Sequence, residues 1–288
     1  MSFEHRDSLL RDLLSNKQQA ERSYEQQAQP TPPLPAWLQG DPGDDLLQPD
    51  WAAITIRFTL QTPWYSRDDV PFHVLHNPVR RDRVLGRPFV AASSWKGLLR
   101  WACRMERGLY EHLEKRGDRF DGWADPPEIL HLFGSQLRDG DEGGLDRKSL
   151  RHGALAFRPT WFEKSDSGGL IDFELINPHD RKTKKGTTPI TYEVVAAGAR
   201  GRLDILYAPP PGQAARDGVS PPHALALLLE ACRALIERYG FSAKRTAGWG
   251  RARIDGGVQV LRRSREPLQG ELQDVIQRLP AWWEGRGT

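Results

Sequence analysis

The chain has few residues that could lock it covalently or hold a soft metal: two cysteines and two methionines in 288 residues. Cys103 and Cys232 each sit in an apolar stretch with helical spacing, which reads as two buried, reduced thiols rather than a disulfide or a metal pair. No Cys-x-x-Cys, His-x-x-x-His or Walker lysine loop occurs, so zinc binding and nucleotide hydrolysis have no support and no cofactor is expected. No apolar run approaches the roughly 20 residues of a membrane span. The opening MSFEHRDSLLRDLL lacks the basic-then-apolar layout of a signal peptide. A cytoplasmic protein with no membrane partner is therefore expected. An excess of either charge is also missing: the formal net charge is only +3, so the placement of the basic residues matters more than their number.

They are clustered. Between His76 and Arg107 eight lysines and arginines (Arg80, Arg81, Arg83, Arg87, Lys96, Arg100, Arg104, Arg107) face two acids, Asp82 and Glu106. Arg181 to Lys185 holds four bases and no acid. Along the chain, residues 1 to about 27 read as a Gln-rich amphipathic helix, and PTPPLPAWLQGDPGDD then forbids regular structure. In residues 51–62 Ile54, Ile56, Phe58 and Leu60 alternate with small or polar residues, as in a half-buried strand. A charged loop of about thirty residues follows, long enough inside a domain to suggest function. After it comes a helix from Ser93 to about Glu114, for which Ser93 or Ser94 is the expected N-cap. Residues 154–162 and 190–208 read as strands. Residues 223–240 form a second strong helix with its stripe at Leu225, Leu228, Leu229, Cys232, Leu235 and Ile236, and residues 251–261 a last strand. The order strand, helix, strand, strand, helix, strand is that of the ferredoxin-like split βαβ arrangement shared by RNA-recognition motifs.

Three stretches carry a resemblance. NPVRRDRVLGRPFVAASSWKGLLR (77–100) is similar to the signature of RAMP proteins, the repeat-associated subunits of CRISPR effector complexes. LHLFGS (130–135) is similar to that family's Phe-Gly-Ser element, and GFSAKRTAGWGRARI (240–254) to its glycine-rich loop before the last strand. The likeness runs over about 50–261. It implies an α+β chain with a modified RNA-recognition-motif (ferredoxin-like) fold, long insertions and a thumb-like hairpin. The implied domain plan is an N-terminal helical appendage with a Pro-rich linker (1–50), an RNA-binding domain (51–265) and a C-terminal tail (266–288). FELINPHDRKTKKGTTPITYEVVAAG (173–198) further resembles the terminal RAMP subunit of Cmr complexes. The implied role is a subunit of a type III CRISPR ribonucleoprotein in antiviral defence, with guide RNA, complementary target RNA and other RAMP and large subunits as partners.

Phosphate capture calls for cations, hydroxyls and backbone amides. Ser93, Ser94, Lys96 and Gly97 supply these at a helix start, and Arg100 and Arg104 follow Lys96 at i,i+4 spacing, which predicts one basic face. The alternative is the solvated face of an ordinary helix. In the glycine-rich loop, Lys244, Arg245, Gly248 and Arg251 are candidate backbone contacts, and Trp249 is a candidate stacking surface or else a core residue. Arg80 and Arg81 join the set from the 77–100 stretch, and Lys182, Lys184 and Lys185 from the thumb-like insertion, where a charged loop is the plain alternative. His179 reads as a structural hydrogen-bonder more than a base.

The resemblance also bears on catalysis. Target-cleaving members carry an aspartate just before the Pro-Val pair, where this chain has Asn77, and a neutral amide is a poor ligand for a hard cation and no base. A non-catalytic subunit is the expectation. The alternative is a metal-dependent endoribonuclease using Asp68 and Asp69, or a guide-trimming one using His73 or His76; against it, the aspartates read more readily as a solvated turn or a salt bridge with Arg67 or Arg80, and Asp82 as the partner of the arginines before it.

Overall fold

The computed structural model describes residues 16–27, 34–35, 38, 47–69, 73–117, 120, 122–135, 150–164, 168–177 and 189–285. Its centre is strand β1, Ala52–Leu60, whose alternation puts Ile54, Ile56, Phe58 and Leu60 into the core at 2% exposure or less. After a bridged loop, β2 (Phe89–Val90) leads into helix α2 (Ala92–Glu106), followed by α3 (Leu109–Arg116) and α4 (Pro127–Phe133). Helix α1 (Lys17–Gln27) precedes them all. Then come β3 (Leu155–Phe157), β4 (Thr160–Trp161), β5 (Ile171–Ile176), β6 (Ile190–Val195) and β7 (Arg200–Tyr207). Helix α5 (Gln213–Asp217) and helix α6 (Pro221–Arg233), continued by a π-helical stretch over Ala234–Tyr239, lead to β8 (Ala252–Leu261), β9 (Leu268–Gly270) and α7 (Leu272–Glu284).

The main sheet has the order β3-β7-β1-β8-β9 and every pairing in it is antiparallel. Without β9, that is the 4-1-3-2 strand order of the ferredoxin-like fold, built from β1, α2, β3, β7, α6 and β8. Helices α2 and α6 cover one face: Trp95, Leu99, Ala102 and Cys103 from α2 meet the predicted α6 stripe, and all of these side chains are fully buried. The two thiols are buried and free, as the sequence suggests. Burial drives both thiols to higher pKa, which keeps them protonated.

Four expectations need correction. The helix expected to run to Glu114 breaks at Arg107 and Gly108, because Gly108 takes a left-handed conformation (φ 89°) that starts α3 on a new axis. Residues 190–208 are two strands in different sheets: β6 pairs with β5 in a separate hairpin, and β7 returns to β1 after a turn at Gly198. The thumb-like insertion is this β5–β6 hairpin; Lys182, Lys184, Lys185 and His179 lie outside the described residues. Residues 266–285, within the expected tail 266–288, are not a tail, since β9 extends the sheet and α7 buries Leu272, Val275, Ile276, Leu279 and Trp282 against α6. Finally, no serine caps α2: Ala91 is the N-cap residue with no side-chain cap bond, and Ser93 and Ser94 are exposed in the first turn.

Candidate nucleic-acid interface

The segment that leaves β1 joins the glycine-rich loop to the hairpin. Trp64 exchanges both backbone hydrogen bonds with Val195 at the foot of β6 (3.0 and 2.8 Å). On its other side, its indole donates to the Phe241 carbonyl (3.0 Å). Tyr65 N donates to the Ser242 hydroxyl, which in turn donates to the Tyr65 carbonyl, each at 3.0 Å. Gly250 N donates to the Pro63 carbonyl (2.8 Å). Two glycines make this closure possible. Gly240 (φ 76°) and Gly250 (φ 76°) bring the ends of the loop so close that a Cβ would lie 2.8 Å from the Trp249 carbonyl oxygen and 2.4 Å from the Ser242 Cβ, respectively.

The closed loop lies along α2. Phe241 packs on Trp95 with ring centroids 4.9 Å apart, and the Arg245 guanidinium sits 4.7 Å from the Trp101 ring centroid. Lys96 therefore stands on the helix that the glycine-rich loop packs against, one residue from the Trp95 contact. The hydroxyls of Ser93 and Ser94 are exposed beside it, and the space over Gly97 is open. At the far edge of the loop the Lys244 ammonium lies 4.5 Å from the Tyr192 ring centroid, which ties a cation of the loop to the hairpin. Tyr65, Tyr192 and Trp249 meet edge to face (5.1, 6.3 and 5.9 Å), and Tyr192 and Trp249 are half-buried. The Tyr65 hydroxyl is buried with no hydrogen-bond partner among the described residues; burial, with Tyr192 beside it, pushes its pKa up to about 12.

The 73–90 loop is fixed to the other side of the hairpin by one carboxylate. Glu193 is fully buried; its Oε1 accepts from the Tyr24 hydroxyl (2.8 Å) and Arg81 Nη2 (2.6 Å), and its Oε2 from Val79 N (2.9 Å). Glu193 N also donates to the Asn77 carbonyl (3.0 Å), while the Asn77 amide donates to the Thr191 carbonyl (3.4 Å). Helix α1, the 77–81 stretch and β6 thus meet at a single buried anion. Burial and the Glu193 charge together drive the Tyr24 hydroxyl far above its ordinary pKa, so it stays a donor. Beyond Arg81, Asp82 Oδ1 accepts from Val84 N and Leu85 N (2.9 Å each) in a tight turn, so Asp82 holds backbone rather than a metal.

This geometry sorts the predicted residues. Arg81 is not a free phosphate contact, because Glu193 and the Gly86 carbonyl hold its guanidinium. Arg100 and Arg104 do not form a basic face with Lys96. Arg100 is buried and pairs with Asp125 at 2.7 Å while donating to the Gly134 carbonyl, and Arg104 pairs with the same carboxylate at 2.6 Å. Burial alone would raise the Asp125 pKa, but hydrogen bonds from Arg104, Arg100 and Trp123 outweigh it and hold the carboxyl well below the usual range. Arg80 stays at the surface, 3.9 Å from Asp69, which is itself 80% exposed, a pairing worth little. Asp68 accepts from Arg81 N (3.2 Å). His73 Nδ1 accepts from Leu75 N (3.0 Å) and its ring meets Tyr24 edge-on; burial lowers its pKa. Among the described residues no group of three or more His, Cys, Asp and Glu side chains is arranged to hold a metal ion, and no helix is long and apolar enough to cross a membrane. Lys96, Gly97, Ser93 and Ser94 on α2, and Lys244, Arg245, Gly248, Trp249 and Arg251 on the loop, are exposed or half-buried.

Sequence reasoning missed Tyr24, Tyr65, Tyr192 and Glu193. The signal for Glu193 was present, an acid inside the apolar run ITYEVV, while Tyr24 sits in a helix that reads as wholly polar.

A family model described as the RAMP superfamily matches residues 57–253. Among solved structures, a chain of "Cryo-EM structure of the Type III-B Cmr-beta bound to cognate target RNA" is similar at 16% identity and TM-score 0.47, over 77% of this chain and 63% of that one. The protein therefore spans less than two thirds of that chain's length. No curated protein matches it.

Proposed function

From a chain that belongs to the RAMP superfamily, we propose a non-catalytic, guide-RNA-binding subunit of a type III CRISPR ribonucleoprotein. The observation that supports it best is the convergence at residues 64–65. The glycine-rich loop with Lys244 and Trp249 bonds to residues 63–65 beside the base of the β5–β6 hairpin and packs through Phe241 on Trp95 of α2, next to Lys96; in this reading one strand runs along all three. In this reading the cations and the first-turn amides of α2 hold guide phosphates without regard to sequence. Trp249 stacks on a base, and the hairpin flanks the guide–target duplex. Lys244 and Arg245 rest on aromatic faces, so less side-chain freedom is lost when they bind. Asn77 stands where cleaving members carry an aspartate, and its carbonyl and amide are taken up by β6, which fits a strut for the hairpin rather than a ligand.

The test is the double variant Lys96→Glu with Lys244→Glu, expressed with the other complex subunits and a guide. Guide RNA should be lost from the purified chain, and wild-type binding should weaken linearly in log–log salt titration, as phosphate contacts require. Undiminished guide recovery by the folded variant sinks this reading. Magnesium-dependent cleavage by the purified complex that disappears with Asp68→Ala and Asp69→Ala would sink its non-catalytic part.

A further inference from the structure

Helix α1 is one that its own sequence does not explain. In KQQAERSYEQQ every residue but Ala20 and Tyr24 is polar, and an isolated helix shorter than roughly 12–15 residues is marginal in water. Asn16 caps it, accepting from Gln19 N at its side chain (3.3 Å) and from Ala20 N at its carbonyl (3.1 Å), but one cap does not make so short a polar helix stable. Among the described side chains of α1, Ala20 and Tyr24 are the buried ones, one turn apart on one face, at 0% and 5% exposure. Tyr24 reaches the seam between two other segments. Its hydroxyl donates to Glu193 of β6 (2.8 Å), and its ring meets His73 of the 73–90 loop edge to face at 4.9 Å. The helix therefore exists by being docked.

The hairpin has a matching need. A two-stranded hairpin is marginal by itself, and β5 and β6 form a sheet of their own. It is held to the domain at the foot of β6: Val195 on Trp64, Glu193 on the 77–81 stretch, and Tyr192 under Lys244. Tyr24 supplies one of the three hydrogen bonds that the Glu193 carboxylate receives there. Helix α1 lies outside residues 57–253, so the shared domain does not account for this contact. We propose that α1 is a strap: docked, it locks the β5–β6 hairpin against the 73–90 loop, and released, it melts and loosens the hairpin while the main sheet and α6 stay folded. Because both share Glu193, the coupling is reciprocal: moving the hairpin weakens the helix as much as freeing the helix loosens the hairpin. Under the guide-binding reading, on which this consequence alone rests, the strap fixes the hairpin before RNA arrives, so less freedom is lost on binding.

The full chain, without RNA, is followed by amide hydrogen exchange and mass spectrometry. Ala20→Glu puts a carboxylate at a closed position of α1 and leaves Tyr24, Glu193 and Arg81 in place. Exchange should rise to the rate of an unstructured chain over 17–27 and about tenfold over 75–81 and 190–195, with β1, β7 and α6 unchanged. Tyr24→Phe is milder; it should move the same three segments by less, and it carries the test if Ala20→Glu does not fold. A freed α1 beside an unchanged hairpin overturns the proposal. So does an α1 that stays protected, or a rise over β1 and α6 as large as that over the hairpin, which is general destabilisation. With no RNA present, these outcomes are separate from guide recovery in Lys96→Glu with Lys244→Glu, so the strap and the guide reading can fail independently.

Discussion

Replacing Glu193 by Gln changes one atom type at the point where three chain segments meet. The side chain is fully buried and receives Tyr24, Arg81 and Val79 at 2.8, 2.6 and 2.9 Å. Gln keeps one acceptor oxygen, but turns an N–H₂ toward a donor and leaves the Arg81 guanidinium without its counter-charge. Removing one partner of a buried ion pair costs roughly 3–5 kcal/mol. At roughly 2–4 °C per kcal/mol for a domain of this size, the melting temperature should fall by about 6–20 °C. Tyr24→Phe removes a single hydrogen bond and leaves the ion pair, so it should cost about 1 kcal/mol. Combining Glu193→Leu with Arg81→Leu and Tyr24→Phe removes every charge at once and should recover most of the loss, since an apolar replacement of a buried pair is often neutral or better. Urea and thermal denaturation of the purified chain read all three. A Glu193→Gln variant within about 0.5 kcal/mol of wild type would show that the carboxylate is not a structural junction. A triple variant as unstable as the single one would show that the loss comes from misplaced shape rather than stranded charge.

Two further outcomes follow from single sites. Asp125→Asn should destabilise by about 3 kcal/mol at neutral pH, because Arg100 and Arg104 share that one carboxylate. The folded pKa of Asp125 lies below its unfolded value, so its stabilisation is complete above about pH 4 and is lost as pH falls further toward the folded value. Urea midpoints from pH 6 to pH 2 should therefore drop in wild type and stay flatter in the variant; parallel curves refute the assignment. Gly250→Ala and Gly248→Ala make a matched pair, both at positive φ (76° and 79°), but only at Gly250 does the new Cβ meet a neighbour, 2.4 Å from the Ser242 Cβ. Gly248→Ala should cost about 1–2 kcal/mol and Gly250→Ala clearly more by thermal melting, and equal costs would mean the loop closure is soft.

Local pattern carried much of the architecture. The alternation of Ile54, Ile56, Phe58 and Leu60 places β1, and the stripe from Leu225 to Ile236 places α6, because each depends only on which face is removed from water. Glycines at 240 and 250 around a basic, Trp-bearing loop marked a tight closure before a strand, and the order of elements pointed to the 4-1-3-2 sheet. What local pattern could not supply is the identity of partners far away in the chain. Arg81, Arg100 and Lys96 look alike as cations on a basic stretch. Only the fold brings Glu193 to Arg81 across 112 residues and Asp125 to Arg100 across 25, while Lys96 is left near the surface. The same holds for Arg57 and Arg202, which face each other only because β1 and β7 pair in that register. A residue's wish to be buried or wet is written in its own side chain and near neighbours. Whether its charge is spent inside the protein or offered outward depends on contacts that exist only after the chain has closed on itself.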